Sequence, residues 1–122
     1  MDPHFTLSLI HLFFVVPLFL FIGIMRSSVP DWLYTAIFII GAVILLYHGY
    51  KFVIRLQARS NYAWVNAIHL ALIAPLLLYI GYHKKETPRS AYELLLLLGF
   101  AAGGYHMYSL VKMIQVYPES EK

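Results

Sequence analysis

The pattern Ile10-His11-Leu12, continued by Pro17-Leu18-x-Leu20-x-Ile22-Gly23, occurs twice in this chain of 122 residues. The second copy reads Ile68-His69-Leu70 and Pro75-Leu76-Leu77-Leu78-Tyr79-Ile80-Gly81, and matched positions lie 58 residues apart. The same separation recurs in Pro30 and Pro88, Tyr34 and Tyr92, Gly41 and Gly99, and Tyr47-His48-x-Tyr50 and Tyr105-His106-x-Tyr108. So long a shared register indicates an internal duplication, which has to be recognised before a fold is predicted.

The composition is typical of a membrane protein. Hydrophobic residues make up 61% of the chain and charged residues 12%, against roughly 45–50% and 25% in a soluble domain. The net charge of +3 comes mostly from basic residues in short loops. We find no basic block or nucleic-acid motif, so we expect no nucleic-acid partner. Cysteine is absent, which excludes disulfides, thiolate catalysis and Cys-ligated metal centres.

Four apolar runs follow one another, at about 5–25, 32–54, 62–82 and 92–115. Each is long enough to cross a hydrocarbon core about 30 Å thick. Because the connections between them are short, neighbouring helices are expected to run up and down in turn. We therefore predict an all-α bundle of four transmembrane helices, made of two tandem two-helix repeats. The repeats are residues 1–59 and 60–122, and the second ends in a short polar tail.

Two spans return the chain to its starting side, so the two repeats are expected to be parallel. A pseudo-two-fold axis along the membrane normal would relate them, with both termini on one side of the bilayer. The basic residues divide five against four between the two faces, which leaves the orientation open. The sequence thus predicts an integral, multi-pass membrane protein. Its expected partners are lipid and either a second copy or another membrane protein.

Each repeat places two histidines inside its spans: His11 and His48 in the first, His69 and His106 in the second. His11 lies about 9 Å from the start of its span and His48 about 10 Å from the end of the next. All four are therefore expected at one depth. An ionisable side chain inside a span is costly and by default indicates a functional site. Four inward-facing imidazoles would suit one copper, zinc or iron ion.

A single b-type haem is the other predicted occupant of this site. If the second and fourth helices are diagonal, His48 and His106 face each other across the bundle axis and provide bis-histidine ligation. Gly99 and Gly103 lie on the His106 face and would make room for the macrocycle. Either cofactor implies electron transfer, metal handling or sensing.

Other side chains are predicted near the histidines. Ser8 and Asn66 each lie one turn before the histidine of their own helix, where they would orient its second ring nitrogen. Tyr47 and Tyr105 directly precede a histidine and are expected beside the rings. Arg55 lies on the His48 face, where it would meet a haem propionate or, as we favour, lipid phosphates.

Two further functions stay open. Because histidine titrates near physiological pH, the four rings would also serve a proton or ion channel or transporter, provided that a polar lane continues past Pro17 and Pro75. In a structural membrane protein, the histidines would only hydrogen-bond between helices, with no pocket between them. Familiar catalytic constellations are not favoured, since the histidine level offers no acid for a triad and the chain has no Gly-rich phosphate loop.

The repeated Ile-His-Leu…Pro-Leu-x-Leu-x-Ile-Gly string and the Tyr-His-Gly-Tyr run at 47–50 resemble a group of small multispanning membrane proteins of nucleocytoplasmic large DNA viruses. The resemblance extends over nearly the whole chain. That group has no assigned activity, so the resemblance implies a viral or host-derived membrane and no functional residues. Haem-binding membrane cytochromes commonly place two histidines on one helix, whereas each helix here has one, which argues against a stack of two haems.

Overall fold

A computed structural model describes residues 3–120 of the chain, including the side chains of residues 5–115. These residues form helices joined by short turns, and no strand occurs among them. The α-helices are α1 (Pro3–Ile10), α2 (Val16–Met25), α3 (Asp31–Gln57), α4 (Ala63–Ile68), α5 (Ala74–His83) and α6 (Arg89–Ser120). They are connected by π-helical segments at His11–Val15 and His69–Ile73 and by 3₁₀ segments at Arg26–Ser28 and Lys84–Glu86.

Four continuous apolar helices result: span 1 (Phe5–Ser28), span 2 (Asp31–Gln57), span 3 (Ala63–Glu86) and span 4 (Arg89–Gln115). Their 24 to 27 residues give lengths of about 36–40 Å, which exceed the roughly 30 Å of a hydrocarbon core. The predicted all-helical fold with four helices able to cross a membrane is confirmed. The fourth helix continues to Ser120, where a polar tail was expected. The sidedness of the termini falls on residues outside the described range and stays a prediction.

The outward-facing side chains along the spans are apolar. Phe13, Leu46 and Ile114 are 77%, 75% and 62% exposed, respectively. Contiguous apolar surface of this kind is unfavourable in water and suits lipid. Trp32 and Trp64, which lie at the starts of spans 2 and 3, are also exposed, as expected for aromatic residues at a membrane interface. The surface therefore supports an integral membrane protein.

The chain divides into two compact units. Unit 1 consists of Met1–Met25 and Tyr92–Lys122, and unit 2 of Arg26–Ala91. Unit 1 thus contains most of span 1 and most of span 4, whereas unit 2 contains spans 2 and 3. The predicted repeats divide elsewhere, between residues 59 and 60, so each compact unit combines one helix from each repeat.

The two helices of unit 1 pack antiparallel at a glycine contact. A Cβ atom built on Gly23 would lie 2.5 Å from Leu96 Cγ, and one built on Gly99 would lie 3.2 Å from Leu20 Cδ2. The contacts run backward along span 1, from Gly23 to Leu20, and forward along span 4, from Leu96 to Gly99. The two helices are therefore antiparallel. A larger side chain at either position would have to displace the leucine side chain that it meets, so glycine permits the close approach of the helices.

Unit 2 has the same arrangement between spans 2 and 3. A Cβ atom on Gly81 would lie 2.6 Å from Phe38 Cβ and 2.9 Å from its Cα, and one on Gly41 would lie 3.0 Å from Leu77 Cβ. In each of these contacts, both residue numbers differ by 58 from those of the equivalent contact in unit 1. The helix pairs of the two units are therefore built from equivalent residues.

Spans 1 and 3 each change their winding at a histidine. The π-helical segments begin at His11 and His69, where the N–H groups of Val16 and Ala74 bond to the histidine carbonyls five residues back. A proline follows shortly after each segment, and its ring would clash with a carbonyl in a regular α-turn. The wider turn relieves that clash, and single π-turns are frequent at functional sites.

The 3₁₀ turns at the ends of spans 1 and 3 begin with a residue of positive φ, 52° at Arg26 and 51° at Lys84. This conformation is uncommon for residues other than glycine, and neighbouring side chains stabilise it. The buried Tyr34 hydroxyl donates to the Arg26 carbonyl at 2.9 Å. The Thr87 hydroxyl donates to the Lys84 carbonyl at 2.6 Å. Both turns are thus closed by hydrogen bonds to the carbonyl of the strained residue.

Candidate functional site: two histidine pairs

Unit 1 contains a pair of stacked histidines. The ring centroids of His11 and His106 lie 4.4 Å apart, with the planes inclined by 26°. Nδ1 of His11 lies 2.8 Å from the carbonyl oxygen of Leu7, one turn earlier on the same helix. Nδ1 of His106 lies 3.3 Å from the hydroxyl oxygen of Ser8 on the opposite helix. Both Ser8 and His106 are buried, so the pair joins spans 1 and 4 inside an apolar contact.

Unit 2 contains a second, closer pair. The ring centroids of His48 and His69 lie 4.0 Å apart, with an angle of 13° between the planes. Nδ1 of His69 lies 2.7 Å from the carbonyl oxygen of Val65. Nδ1 of His48 lies 2.8 Å from Nδ2 of Asn66 on the opposite helix. Asn66 is 2% exposed, so its amide is almost wholly dependent on protein partners.

A charged residue extends the polar contacts of unit 2. Arg55 donates from a guanidinium nitrogen to Oδ1 of Asn66 at 2.7 Å. Arg55 is partly exposed, and Asn66 is buried. The hydrogen bonds therefore form a chain from Arg55 through Asn66 to His48, which leads from the end of span 2 to the histidine pair.

The two pairs correspond position by position at the 58-residue separation. In each unit, a histidine at the start of a π-helical segment bonds to the carbonyl four residues earlier and stacks on a histidine from the antiparallel helix. The histidine from the antiparallel helix bonds to a polar side chain that lies one turn before the first histidine. The units differ in the polar partner, which is Ser8 in unit 1 and Asn66 in unit 2.

The backbone hydrogen bonds determine where two of the rings carry their hydrogen. A carbonyl oxygen only accepts, so Nδ1 of His11 and Nδ1 of His69 must each carry a hydrogen. In the neutral ring, Nε2 then holds the lone pair. This nitrogen is the one that would take up a proton or bind a metal ion.

The predicted residues around the histidines are present, but two of them act on a different ring. Ser8 and Asn66 were expected to orient the histidine of their own helix. Instead they contact His106 and His48, each on the opposite helix. The reason is that a long side chain in a helix leans back over the preceding turn, where His11 and His69 meet a backbone carbonyl first.

Tyr47 and Tyr105 lie beside histidines, as expected. Their rings are edge-on to those of His48 and His106, at 5.2 and 5.1 Å between centroids. The two tyrosine side chains are 54% and 40% exposed. They therefore contact the histidine next to them in sequence while facing largely outward.

Gly99 and Gly103, predicted to make room for a haem, face span 1 instead. A Cβ atom on Gly99 would lie 3.3 Å from Phe19 Cβ, and one on Gly103 would lie 3.5 Å from Val16 Cγ1. The space beside these glycines is thus filled by side chains of the antiparallel helix. Their position in unit 1 supports helix packing.

The four histidines are distributed over both units. His48 and His106, the predicted axial ligands of a haem, belong to different units and each stacks on another histidine. Among the described residues, no group of three or more His, Asp or Glu side chains is placed to hold a metal ion. A single site formed by all four histidines therefore stays a prediction.

The interior of each unit is apolar beyond the histidines. Buried side chains there are Phe19, Ile22 and Leu95 in unit 1 and Ile37, Leu77 and Ile80 in unit 2. Buried Tyr34 and Tyr92 carry hydroxyls at the starts of spans 2 and 4. Within the described residues, the other buried polar side chains are Ser8, Asn66, Thr87 and His106. Of these, Thr87 alone comes after the apolar stretch, in the turn that follows span 3. A polar lane through the interior of either unit is not formed by these side chains.

Sequence reasoning missed three features of the site. It did not predict the carbonyl partners of His11 and His69, although any helical histidine has a carbonyl four residues earlier. It did not predict the π-helical segments, whose signal is the proline that follows each histidine by six residues. It assigned Arg55 to lipid phosphates, whereas the structure bonds it to Asn66. A long, flexible side chain gives no sequence signal for one of these partners over the other.

The chain matches no protein family, and neither a curated protein nor a solved structure is detectably similar to it. The resemblance to small multispanning viral membrane proteins accordingly stays a prediction.

Proposed function

We propose that this chain is a proton-responsive integral membrane protein, in which two histidine pairs take up protons and thereby change how the helices pack. One observation carries the proposal: a stacked pair of ionisable rings joins the two helices of each unit. Ionisable side chains inside apolar spans are costly and usually serve a function. Here both sides of each contact are titratable.

Charge repulsion couples protonation to packing. Neutral imidazoles stack without a net charge, and one proton per pair leaves a cation against a neutral ring. Two unit charges 4 Å apart repel each other by about 4 kcal/mol at an effective dielectric constant of 20. The second proton therefore enters a pair only when the rings separate. We expect acidification to loosen the contact between the helices of each unit.

The apolar interior favours this packing response over proton conduction through a unit. A conducting path needs polar groups or water along its length. Beyond the histidine level, the buried side chains of both units are apolar except for the hydroxyls of Tyr34, Tyr92 and Thr87 near the far ends of the spans. Proton uptake and release on the histidine side, with a change in helix separation, requires no such path.

Distance measurements by electron paramagnetic resonance test the proposal directly. The chain has no cysteine, so spin labels attach only where cysteines are introduced. Labels at the exposed positions Phe14 and Phe100 report on unit 1, and labels at Val43 and Leu72 report on unit 2. In lipid bilayers, lowering the pH from 8 to 5 is expected to lengthen and broaden both distance distributions.

Phenylalanine variants identify the groups responsible, since they keep a flat ring without the ionisable nitrogen. His11→Phe with His106→Phe is expected to abolish the pH response of unit 1 alone. His83→Phe is the matched control, because the His83 ring contacts that of Tyr79 at a tilt and lies outside both pairs. A response that survives in the double variant, or its absence from the native protein, would leave the histidines with only a structural role.

A bound transition-metal ion is the second candidate. It is favoured by the Nδ1–H groups of His11 and His69, which donate to backbone carbonyls as metal-ligating histidines commonly do. A b-type haem is favoured less, because the paired rings lie face to face, whereas axial ligands approach an iron from opposite sides. Imidazole suits copper, zinc and iron.

Metal analysis and absorption spectra separate these candidates. The protein is expressed with haem and metals supplied, and then purified. Stoichiometric copper, zinc or iron that is lost in His48→Phe with His69→Phe would support a metal site. A Soret band with split reduced bands would support haem. A colourless, metal-free protein would exclude both and leave the proton-responsive function.

A further inference from the structure

The hydrogen-bond chain of unit 2 determines which nitrogen of His48 carries a hydrogen. A guanidinium group has donors only, so the Asn66 atom 2.7 Å from Arg55 must be the amide oxygen. The amide nitrogen then faces His48, where Nδ2 lies 2.8 Å from Nδ1. Because the amide nitrogen only donates, Nδ1 of His48 accepts, and the hydrogen of the neutral ring lies on Nε2.

His69 holds its hydrogen on the other nitrogen. Its Nδ1 lies 2.7 Å from the carbonyl oxygen of Val65 and therefore donates. In the neutral state, the stacked rings of His48 and His69 are thus opposite tautomers, with a hydrogen on Nε2 of the first and a lone pair on Nε2 of the second.

We infer that Arg55 and Asn66 are positioning residues that fix His48 as the Nε2–H tautomer and so make the two rings of the His48–His69 pair opposite tautomers. At Nε2, His48 carries a hydrogen, whereas His69 carries a lone pair. Arg55 touches neither ring in the hydrogen bonds described above. It acts through the orientation of the Asn66 amide, which would otherwise present its oxygen or its nitrogen to His48.

Unit 1 has neither an asparagine nor an arginine at the positions equivalent to Asn66 and Arg55. Ser8 corresponds to Asn66 and Met113 to Arg55. A hydroxyl both donates and accepts, so Ser8 fits either tautomer of His106. A thioether has no hydrogen to donate and cannot orient a polar neighbour as Arg55 does. The fixed tautomer is therefore a property of unit 2.

This inference goes beyond the proposed function, because it assigns the tautomer of a ring that the proposed function requires only to be ionisable. The tautomer itself is measured separately from any response to pH. Failure of the distance experiment would remove the proton-responsive function and leave the tautomer assignment standing. Failure of the tautomer experiment would remove the tautomer assignment and leave the proton-responsive function standing.

Nitrogen NMR of histidine labelled with ¹⁵N in the ring tests the assignment. The protein is placed in lipid bilayers at alkaline pH, where the rings are neutral, and single His→Phe variants assign the signals. The directly bound hydrogen is expected on Nε2 of His48 and on Nδ1 of His69. A hydrogen on Nδ1 of His48 in the native chain would overturn the inference.

Substitutions at Asn66 and Arg55 then test the cause. In Asn66→Asp, the carboxylate accepts from both neighbours, so the hydrogen of His48 is expected to move to Nδ1. Arg55→Lys keeps a donor-only partner and is expected to preserve the native tautomer. Arg55→Met, which copies Met113, is expected to give a mixture of both tautomers.

Two outcomes would contradict this cause. One is a hydrogen that stays on Nε2 of His48 in Asn66→Asp. The other is that His48 shows the same tautomer in Arg55→Lys and in Arg55→Met. This comparison tests the role of Arg55 even if Asn66→Asp does not fold. Ser8→Asn is the control in unit 1, where no arginine orients the new amide, and it is expected to leave the tautomer of His48 unchanged.

Discussion

In unit 1 the hydroxyl of Ser8 meets His106, whereas in unit 2 the amide of Asn66 meets His48 and is itself held by Arg55. The stacked rings and the hydrogen bonds from histidine to backbone are otherwise equivalent in the two units. The comparison teaches that the packing framework is duplicated while the polar groups attached to it differ. A difference in behaviour between the units is therefore to be sought in these polar groups.

A second difference concerns what faces the equivalent glycines. In unit 1 the atoms nearest to a Cβ on Gly23 belong to the side chain of Leu96. In unit 2 the atoms nearest to a Cβ on Gly81 include the backbone nitrogen and Cα of Phe38. A leucine side chain can adopt another rotamer, whereas a helical backbone cannot give way without moving the helix.

The largest expected effect is that of Gly81→Ala. The new methyl group would lie against the Phe38 backbone, so we expect a loss of about 3 kcal/mol in the free energy of unfolding, at the upper end for overpacking. For Gly23→Ala, where Leu96 can rotate, about 1 kcal/mol is expected. Unfolding in mixed detergent micelles, followed by circular dichroism, measures both. Equal losses in the two variants would contradict the distinction between the units.

Removal of the polar partners gives the next largest effect. Asn66→Ala breaks two hydrogen bonds and leaves Arg55 without its amide oxygen, so a loss of about 2 kcal/mol is expected. Ser8→Ala breaks one longer bond, for which about 0.6 kcal/mol is expected, the average for such bonds in membrane proteins. The same unfolding assay applies. If Ser8→Ala costs as much as Asn66→Ala, Arg55 does not stabilise unit 2 through this chain.

Much of the framework could be predicted from the sequence. Uninterrupted apolar runs require helices in lipid, because only helices satisfy the backbone within one segment. The 58-residue separation marked His11 and His69 as equivalent, and likewise His48 and His106. Spacing by one turn identified Ser8 and Asn66 as polar neighbours of histidines. Each of these inferences depends on local pattern alone.

The pairing of the histidines could not be predicted in the same way. A sequence repeat indicates which helices are equivalent, but it does not indicate which helices are neighbours. The expectation that His48 faces His106 depended on an assumed diagonal arrangement, whereas each of these rings stacks on a histidine of another helix within its unit. The bond from Arg55 to Asn66 likewise depends on tertiary packing, since the two residues lie on different helices.

A transplant of the polar chain sharpens the comparison further. Ser8→Asn with Met113→Arg gives unit 1 the residues that unit 2 has at the equivalent positions. If the frameworks are equivalent, the two changes should be coupled, with the double variant about 1 kcal/mol more stable than the sum of the single variants predicts. A double-mutant cycle in the unfolding assay measures this coupling. Strict additivity of the two changes would show that the equivalent hydrogen bonds do not form in unit 1.

The smallest expected effect is that of a cation on an aromatic ring. Nζ of Lys112 lies 5.3 Å from the centroid of the Tyr108 ring in unit 1, whereas the equivalent residues of unit 2 are Ile54 and Tyr50. Lys112→Ile should therefore remove about 0.5 kcal/mol from the free energy of unfolding, the value for such a contact at an exposed site. The reciprocal Ile54→Lys should add a similar amount through Tyr50. Because each change also alters burial in lipid, the measurement is a cycle with Tyr108→Leu or Tyr50→Leu, and a coupling energy of zero in both cycles would mean that the ring contributes nothing beyond its apolar surface.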